Sequence, residues 1–187
     1  KWGLGTSSTL INNISKWANI DPYKLLWTDY KGSGYDIACA LAKGPILYKL
    51  ENNIPIVKSV QFSPVYTENI FFVYLNKKQD SNKEIDKFFE MKISVLTINK
   101  LSDLTIEFIN SKTLLDFQNC IKKHENIISK TLEIEPIKNK YFNDYLGEIK
   151  SLGAWGGDFI LAAGPENSKK YFYKKGYKTV LNYKEIF

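Results

Sequence analysis

The sequence contains no arginine: all 26 of its basic residues are lysine. That absence weighs against a reader of nucleic acid despite the net charge of +6. Sequence-specific contacts to guanine and phosphate lean on bidentate guanidinium groups. The lysines are also scattered over predicted helix faces and form no single stripe, so no nucleic-acid partner is expected. Cysteine occurs twice, and Cys39 and Cys120 have neither metal nor redox spacing. Cys39 stands among alanines in a predicted helix. It is expected to be a buried, reduced thiol, in keeping with a cytoplasmic protein. No apolar run approaches the roughly 20 residues of a membrane span, so no membrane partner is expected.

What is present describes an ordinary globular chain. With 187 residues and 44% hydrophobic content, it can build one domain or two small ones around a real core. Leu10, Ile11, Ile14, Trp17, Ala18 and Ile20 recur at helical spacing and predict a helix from about Ser7. Asp21-Pro22 reads as an N-cap followed by proline at the first helical position, opening a second helix through about Tyr30. A third runs from about Tyr35 to Ala42, stopped by Gly44-Pro45. Residues 46–50 and 55–60 predict a hairpin around Glu51-Asn52-Asn53. The run from Asn69 to Leu75 is nearly continuous in apolar and aromatic residues, as in a central strand. Helices are predicted near 82–91, where Ser81 and Glu84 form a capping pattern, and near 93–109, 113–131 and 168–175, with a short helix or turn over 137–145. Strands flank a glycine turn after Ser151, and a last strand covers 179–182. Strands and helices interleave without a regular alternation, which predicts an α+β fold.

Three glycine-rich turns carry the chemistry. Gly3-Leu4-Gly5-Thr6-Ser7-Ser8-Thr9 runs straight into the first helix. Glycines let backbone N–H groups converge on an anion, and the helix adds its own unpaired N–H groups and dipole. The same stretch is also compatible with plain helix capping. It is neither a Walker A loop nor a dinucleotide fingerprint. Gly32-Ser33-Gly34-Tyr35-Asp36 is a second turn with an acid at its exit. Asp36 there is either a general base for a substrate hydroxyl or the N-cap of the following helix. Gly153-Ala154-Trp155-Gly156-Gly157 is the third turn, which also reads as a tight hairpin. His124, the single histidine, is expected at the surface or its boundary.

In this order the motifs GLGSS, GSGxD and GAxxGG resemble those of the GHMP kinases, the superfamily of galactokinase, homoserine kinase, mevalonate kinase and phosphomevalonate kinase. The wording GSGYDIACA resembles the subgroup called GYDIA-family GHMP kinases. The resemblance implies a two-domain fold. Residues 1–62 would be the remainder of an N-terminal, ATP-binding domain, and residues 63–187 a ferredoxin-like C-terminal domain. It also implies a strand and a segment bearing a lysine or arginine upstream of Lys1, without which the fragment is expected to be inactive.

The resemblance further implies ATP and Mg²⁺ as cofactors and a small molecule as acceptor. Gly3, Leu4, Gly5, Thr6, Ser7 and Ser8 would hold the nucleotide phosphates, with Ser7 reaching the metal. Asp36 would act on the acceptor hydroxyl. Gly153, Ala154, Gly156 and Gly157 would lie beside the acceptor, and Lys77, Lys78 and Ser81 would bind it. The chain departs from mevalonate kinases in having no glutamate before Glu51, where a second metal ligand is expected; Asp29 is a possible substitute. The implied acceptor is mevalonate or phosphomevalonate. The alternatives are a sugar or homoserine kinase, a diphosphomevalonate decarboxylase, a nucleotide-binding regulatory protein without turnover, or an unrelated basic binding module.

Overall fold

The computed structural model describes residues 4–30, 32–77, 81–155 and 158–187, with the side chains of residues 81–84 and 87 left aside. The chain divides into two compact units, Lys1–Phe62 and Ser63–Phe187. In the smaller unit, helix α1 covers Thr6–Ala18, α2 covers Pro22–Asp29 and α3 covers Tyr35–Leu41. Asp21 caps α2 as its sequence suggests, accepting hydrogen bonds from the backbone N–H of Tyr23 at 2.7 Å and of Lys24 at 3.0 Å. Strands β1 (Ile46–Glu51) and β2 (Ile54–Ser59) form the expected hairpin, with Glu51 opposite Ile54. The two turn residues, Asn52 and Asn53, have φ of 49° and 60°. Asparagine tolerates this left-handed pair, and its twist matches that of the strands.

Two features of this unit differ from simple expectation. Helix α1 packs against α2 and α3, yet its buried residues are Ser8, Asn12 and Ser15, while Leu10, Ile14 and Trp17 are exposed. The apolar pattern that predicts the helix therefore does not mark its buried side. Cys39 is exposed and not a core thiol. On a helix, positions two apart do not share a face, and the inward positions of α3 are Ile37 and Ala38.

The larger unit holds a four-stranded sheet in the order β4-β5-β3-β6. Its strands are β3 (Ile70–Tyr74), β4 (Glu148–Ser151), β5 (Phe159–Ala163) and β6 (Val180–Asn182). Every pairing is antiparallel; Phe72 lies opposite Leu161 on one side and Leu181 on the other. Between β3 and β4 come α4 (Ser81–Glu90), α5 (Val95–Asn110), α6 (Leu114–Leu132) and α7 (Ile137–Tyr141). Helix α8 (Ser168–Lys174) connects β5 to β6. Two interleaved split β-α-β units in this order make a ferredoxin-like topology. Thr113 and Asp116 close a reciprocal capping box on α6, at 3.0 and 3.1 Å. Ser81 is the first residue of α4. Among the described residues, no helix is long and apolar enough to cross a membrane.

The core of this unit is aromatic. Phe142 is fully buried, with ring centroids 5.4 Å from Phe172 and 5.3 Å from Tyr177. It packs with Phe71, Val73 and Ile160 of the central strands. Phe142→Ala is expected to lower stability by about 3–5 kcal/mol through lost burial and the cavity left behind. Urea unfolding followed by near-ultraviolet circular dichroism checks this.

Candidate functional site

The first motif opens α1 from a left-handed glycine. Gly5 has φ 75° and is the N-cap, with no side chain capping the helix. The hydroxyls nearby turn the other way: Ser8 Oγ and Thr9 Oγ1 donate to the Gly5 carbonyl at 3.0 and 2.8 Å. The first-turn N–H groups thus receive no side-chain acceptor, which is the arrangement an external anion uses. Thr6 and Ser7 are exposed, Leu4 is half-buried, and Ser8 is buried. The Ser8 hydroxyl proton is engaged by the Gly5 carbonyl. Gly3 lies outside the described residues.

The second motif is braced by aromatic residues that sequence reasoning did not single out. Trp27 Nε1 donates to the Gly32 carbonyl at 3.1 Å, and the Tyr48 hydroxyl donates to the Ser33 carbonyl. Gly34 has φ 77°, and a Cβ there would lie 3.1 Å from the Tyr23 ring and 3.4 Å from Trp27. Tyr23 and Trp27, one turn apart on α2, pack with tilted rings, centroids 5.3 Å apart; their i, i+4 spacing beside a glycine turn was the available signal. Gly34 is the N-cap of α3, so Asp36 stands inside the first turn rather than at the cap. Its carboxylate is half-exposed. Burial first, and the Asp36 charge second, push the Tyr35 hydroxyl and the Cys39 thiol up from their ordinary values. Helix α3 also borders an apolar groove of about 490 Å³, lined by Tyr23, Ala38, Leu41, Pro45, Ile46 and Val57. Its size is that of small-molecule sites.

The third motif joins β4 to β5 in the larger unit. Gly153 and Trp155 have φ of 64° and 49°, and the Trp155 N–H donates to the Gly153 carbonyl at 3.0 Å. The Trp155 ring stacks on Phe88 of α4, centroids 5.2 Å apart and planes 26° apart. Gly153 is exposed and Ala154 half-buried; Gly156 and Gly157 lie outside the described residues. The exit of the turn is tied to the end of β3, where Leu75 N–H donates to the Asp158 carbonyl at 2.8 Å. Two residues on, Lys77 is exposed and places its ammonium 5.6 Å from the centroid of the Tyr141 ring. Lys78 lies outside the described residues, as does the side chain of Ser81.

Among the described residues no group of three or more His, Cys, Asp or Glu side chains could hold a metal. Ser7 offers one exposed hydroxyl at the helix N-terminus. That suits Mg²⁺, which commonly takes a hydroxyl or carboxylate together with phosphate oxygens and water. The structure thus brings Gly5, Ser7 and Asp36 onto two packed helices of the smaller unit. It puts the third motif and Lys77 in the larger one.

No family model matches the sequence, and no curated protein matches it. Among solved structures, the chain is similar to a Lin0012 protein from Listeria innocua. The TM-score is 0.70 at 18% identity, over 97% of this chain and 68% of that one. It is also similar to L. major mevalonate kinase, crystallised in complex with R-mevalonate. Here the TM-score is 0.58 at 17% identity, over 81% of this chain and 52% of that one. The chain therefore spans about half the length of that mevalonate kinase. The likeness is one of fold alone: an α+β architecture shared with these two structures.

The glycine turn at 32–34 gives a direct test. Gly34→Ala forces a side chain into a left-handed position and is expected to cost about 1–2 kcal/mol. Gly44→Ala, where a Cβ meets nothing within 4 Å, is expected to stay within about 0.5 kcal/mol. Urea unfolding followed by tryptophan fluorescence compares the two.

Proposed function

We propose that the protein is an ATP-dependent small-molecule kinase of the GHMP type, with mevalonate or phosphomevalonate as acceptor. The observation that carries this reading is the open N-terminus of α1. Gly5 is left-handed, no side chain caps the first turn, and α1 packs against the helix that bears Asp36 in its own first turn. The likeness of fold to a mevalonate kinase supports it, as does the order of the three glycine motifs.

In this reading the N–H groups of Gly5, Thr6, Ser7 and Ser8 would hold phosphate oxygens, and the Ser7 hydroxyl would help to hold Mg²⁺. Bound Mg²⁺ and ATP supply charge neutralisation and the phosphoryl group to be transferred. Asp36 orients the acceptor hydroxyl and accepts its proton. Gly153 and Ala154, with Gly156 and Gly157, let the backbone approach the acceptor closely. Lys77 and Lys78 take its anionic group as point charges, which with backbone N–H groups are the contacts open to a chain without arginine. No partner beyond small molecules is required. A second reading, a nucleotide-binding regulatory protein without turnover, is favoured by the absence of glutamate before Glu51.

Transfer from ATP to mevalonate, phosphomevalonate, galactose and homoserine, assayed side by side with the full-length protein, tests the proposal. Transfer to one of the first two is expected. ATP binding without transfer to any would replace it with the regulatory reading. Asp36→Asn is expected to lower turnover by about a hundredfold while nucleotide affinity, measured by calorimetry, stays nearly unchanged. Unchanged turnover would leave Asp36 with a helix-dipole role alone. Lys77→Ala separates the acceptors: it should raise KM steeply for phosphomevalonate, and much less for mevalonate, whose single carboxylate makes at most one such contact.

A further inference from the structure

One carboxylate outside the three motifs is buried without an assigned task. Glu125 lies midway along α6, 8% exposed. Its Oε2 accepts the backbone N–H of Ser151 at 3.1 Å and the Ser151 hydroxyl at 2.9 Å. Its Oε1 lies 3.2 Å from His124 Nδ1 and 3.7 Å from Lys150 Nζ. Lys150 Nζ is also 3.4 Å from His124 Nε2 and donates to the Ser151 carbonyl at 3.3 Å. Lys150 Nζ lies closer still to His124 Nδ1, at 3.2 Å, so one ammonium meets both ring nitrogens while Nδ1 also faces Glu125. His124 thus sits at the boundary of the core as part of this cluster.

Burial pushes the Glu125 pKa up. The hydrogen bond from His124, the Lys150 charge and the two Ser151 donors outweigh it and hold the carboxyl below the ordinary glutamate value. It is therefore ionised at neutral pH. Burying a charge costs several kcal/mol unless it is well paired, and a hydrophobic residue would fill the space more cheaply. What the carboxylate adds is direction. It grips both donors of one residue, and that residue is the last of edge strand β4. The turn bearing Gly153, Ala154 and Trp155 starts at the next position. A cavity of about 10 Å³ is lined by Glu125, Ser129, Ser151 and Trp155 among others, so the carboxylate and the turn border the same space.

We propose that Glu125 is a positioning residue: by holding Ser151 it fixes the root of the third glycine turn and keeps Trp155 stacked on Phe88. Through that turn it sets where Gly153 and Ala154 meet the acceptor. This last step rests on the kinase reading; the anchoring itself does not.

Fluorine NMR of the full-length protein labelled with 5-fluorotryptophan tests the anchoring. The Trp155 line is assigned by its loss in Trp155→Phe. Glu125→Gln keeps an acceptor for Ser151 and should leave the line in place. Glu125→Ala should move it toward the position of free 5-fluorotryptophan. An unmoved line in a folded Glu125→Ala protein overturns the proposal. If that variant does not fold, Ser151→Ala, which deletes one donor only, decides by the same shift.

Transfer kinetics test the second step. With Mg²⁺, ATP and the acceptor the protein turns over, Glu125→Ala should lower kcat/KM by about a hundredfold, chiefly through KM, and Glu125→Gln should restore most of it. A moved Trp155 line with unchanged KM would overturn the role at the acceptor and leave the anchoring intact. A protein that transfers to no acceptor would refute the kinase reading, and the Trp155 line would still judge the anchoring.

Discussion

Strand β3 bonds on both edges, to β5 and to β6, and Ile70, Phe71, Phe72 and Val73 are all buried. A strand with no polar face has no stable position except the interior of a sheet covered on both sides. The rest of the larger unit is arranged to satisfy it. Helix α6 packs on β4 and β5, and α8 on β3 and β6. The ends of β3 inherit that rigidity. Leu75 N–H reaches the Asp158 carbonyl, so the loop carrying Lys77 and the exit of the third glycine turn leave the sheet from neighbouring points. Loops held this way on rigid strands are where positional accuracy is available to chemistry.

The two glycine motifs of the smaller unit use their flexibility differently. At Gly5 a left-handed residue leaves a helix end open. At Gly34 it makes room for rings, and Tyr23, Trp27 and Tyr48 then lock the turn. One turn leaves its helix end without a side-chain cap, and the other is held by three rings one residue before Tyr35-Asp36.

Much of this could be read from the chain because it is local. Asp21-Pro22 announces the start of α2, the Asn52-Asn53 pair announces a hairpin, and the aromatic run at 70–74 announces a central strand. Each signal is carried by residues within a few positions of the feature. What could not be read depends on partners far apart in sequence. Glu125 and Ser151 are 26 positions apart, and Tyr48 and Ser33 are 15 apart; no periodicity foretells that either pair will meet. The burial of Cys39 failed for another reason. Its small neighbours suggested an interior helix, but a helix of seven residues turns only a narrow face inward. The buried Ser8, Asn12 and Ser15 of α1 are a related case, in which small side chains permit a close helix contact that hydrophobicity does not report.

The exposure of Cys39 gives the molecule a chemical address. Cys120 is buried and Cys39 is not, so a thiol reagent meets one accessible sulfur, on the helix that carries Asp36 and one turn along from it. Burial and the Asp36 charge raise the thiol pKa, which keeps the sulfur protonated and slow to react near neutrality and quickens it in mild alkali. A fluorophore or spin label placed there would stand on the helix that borders the apolar groove.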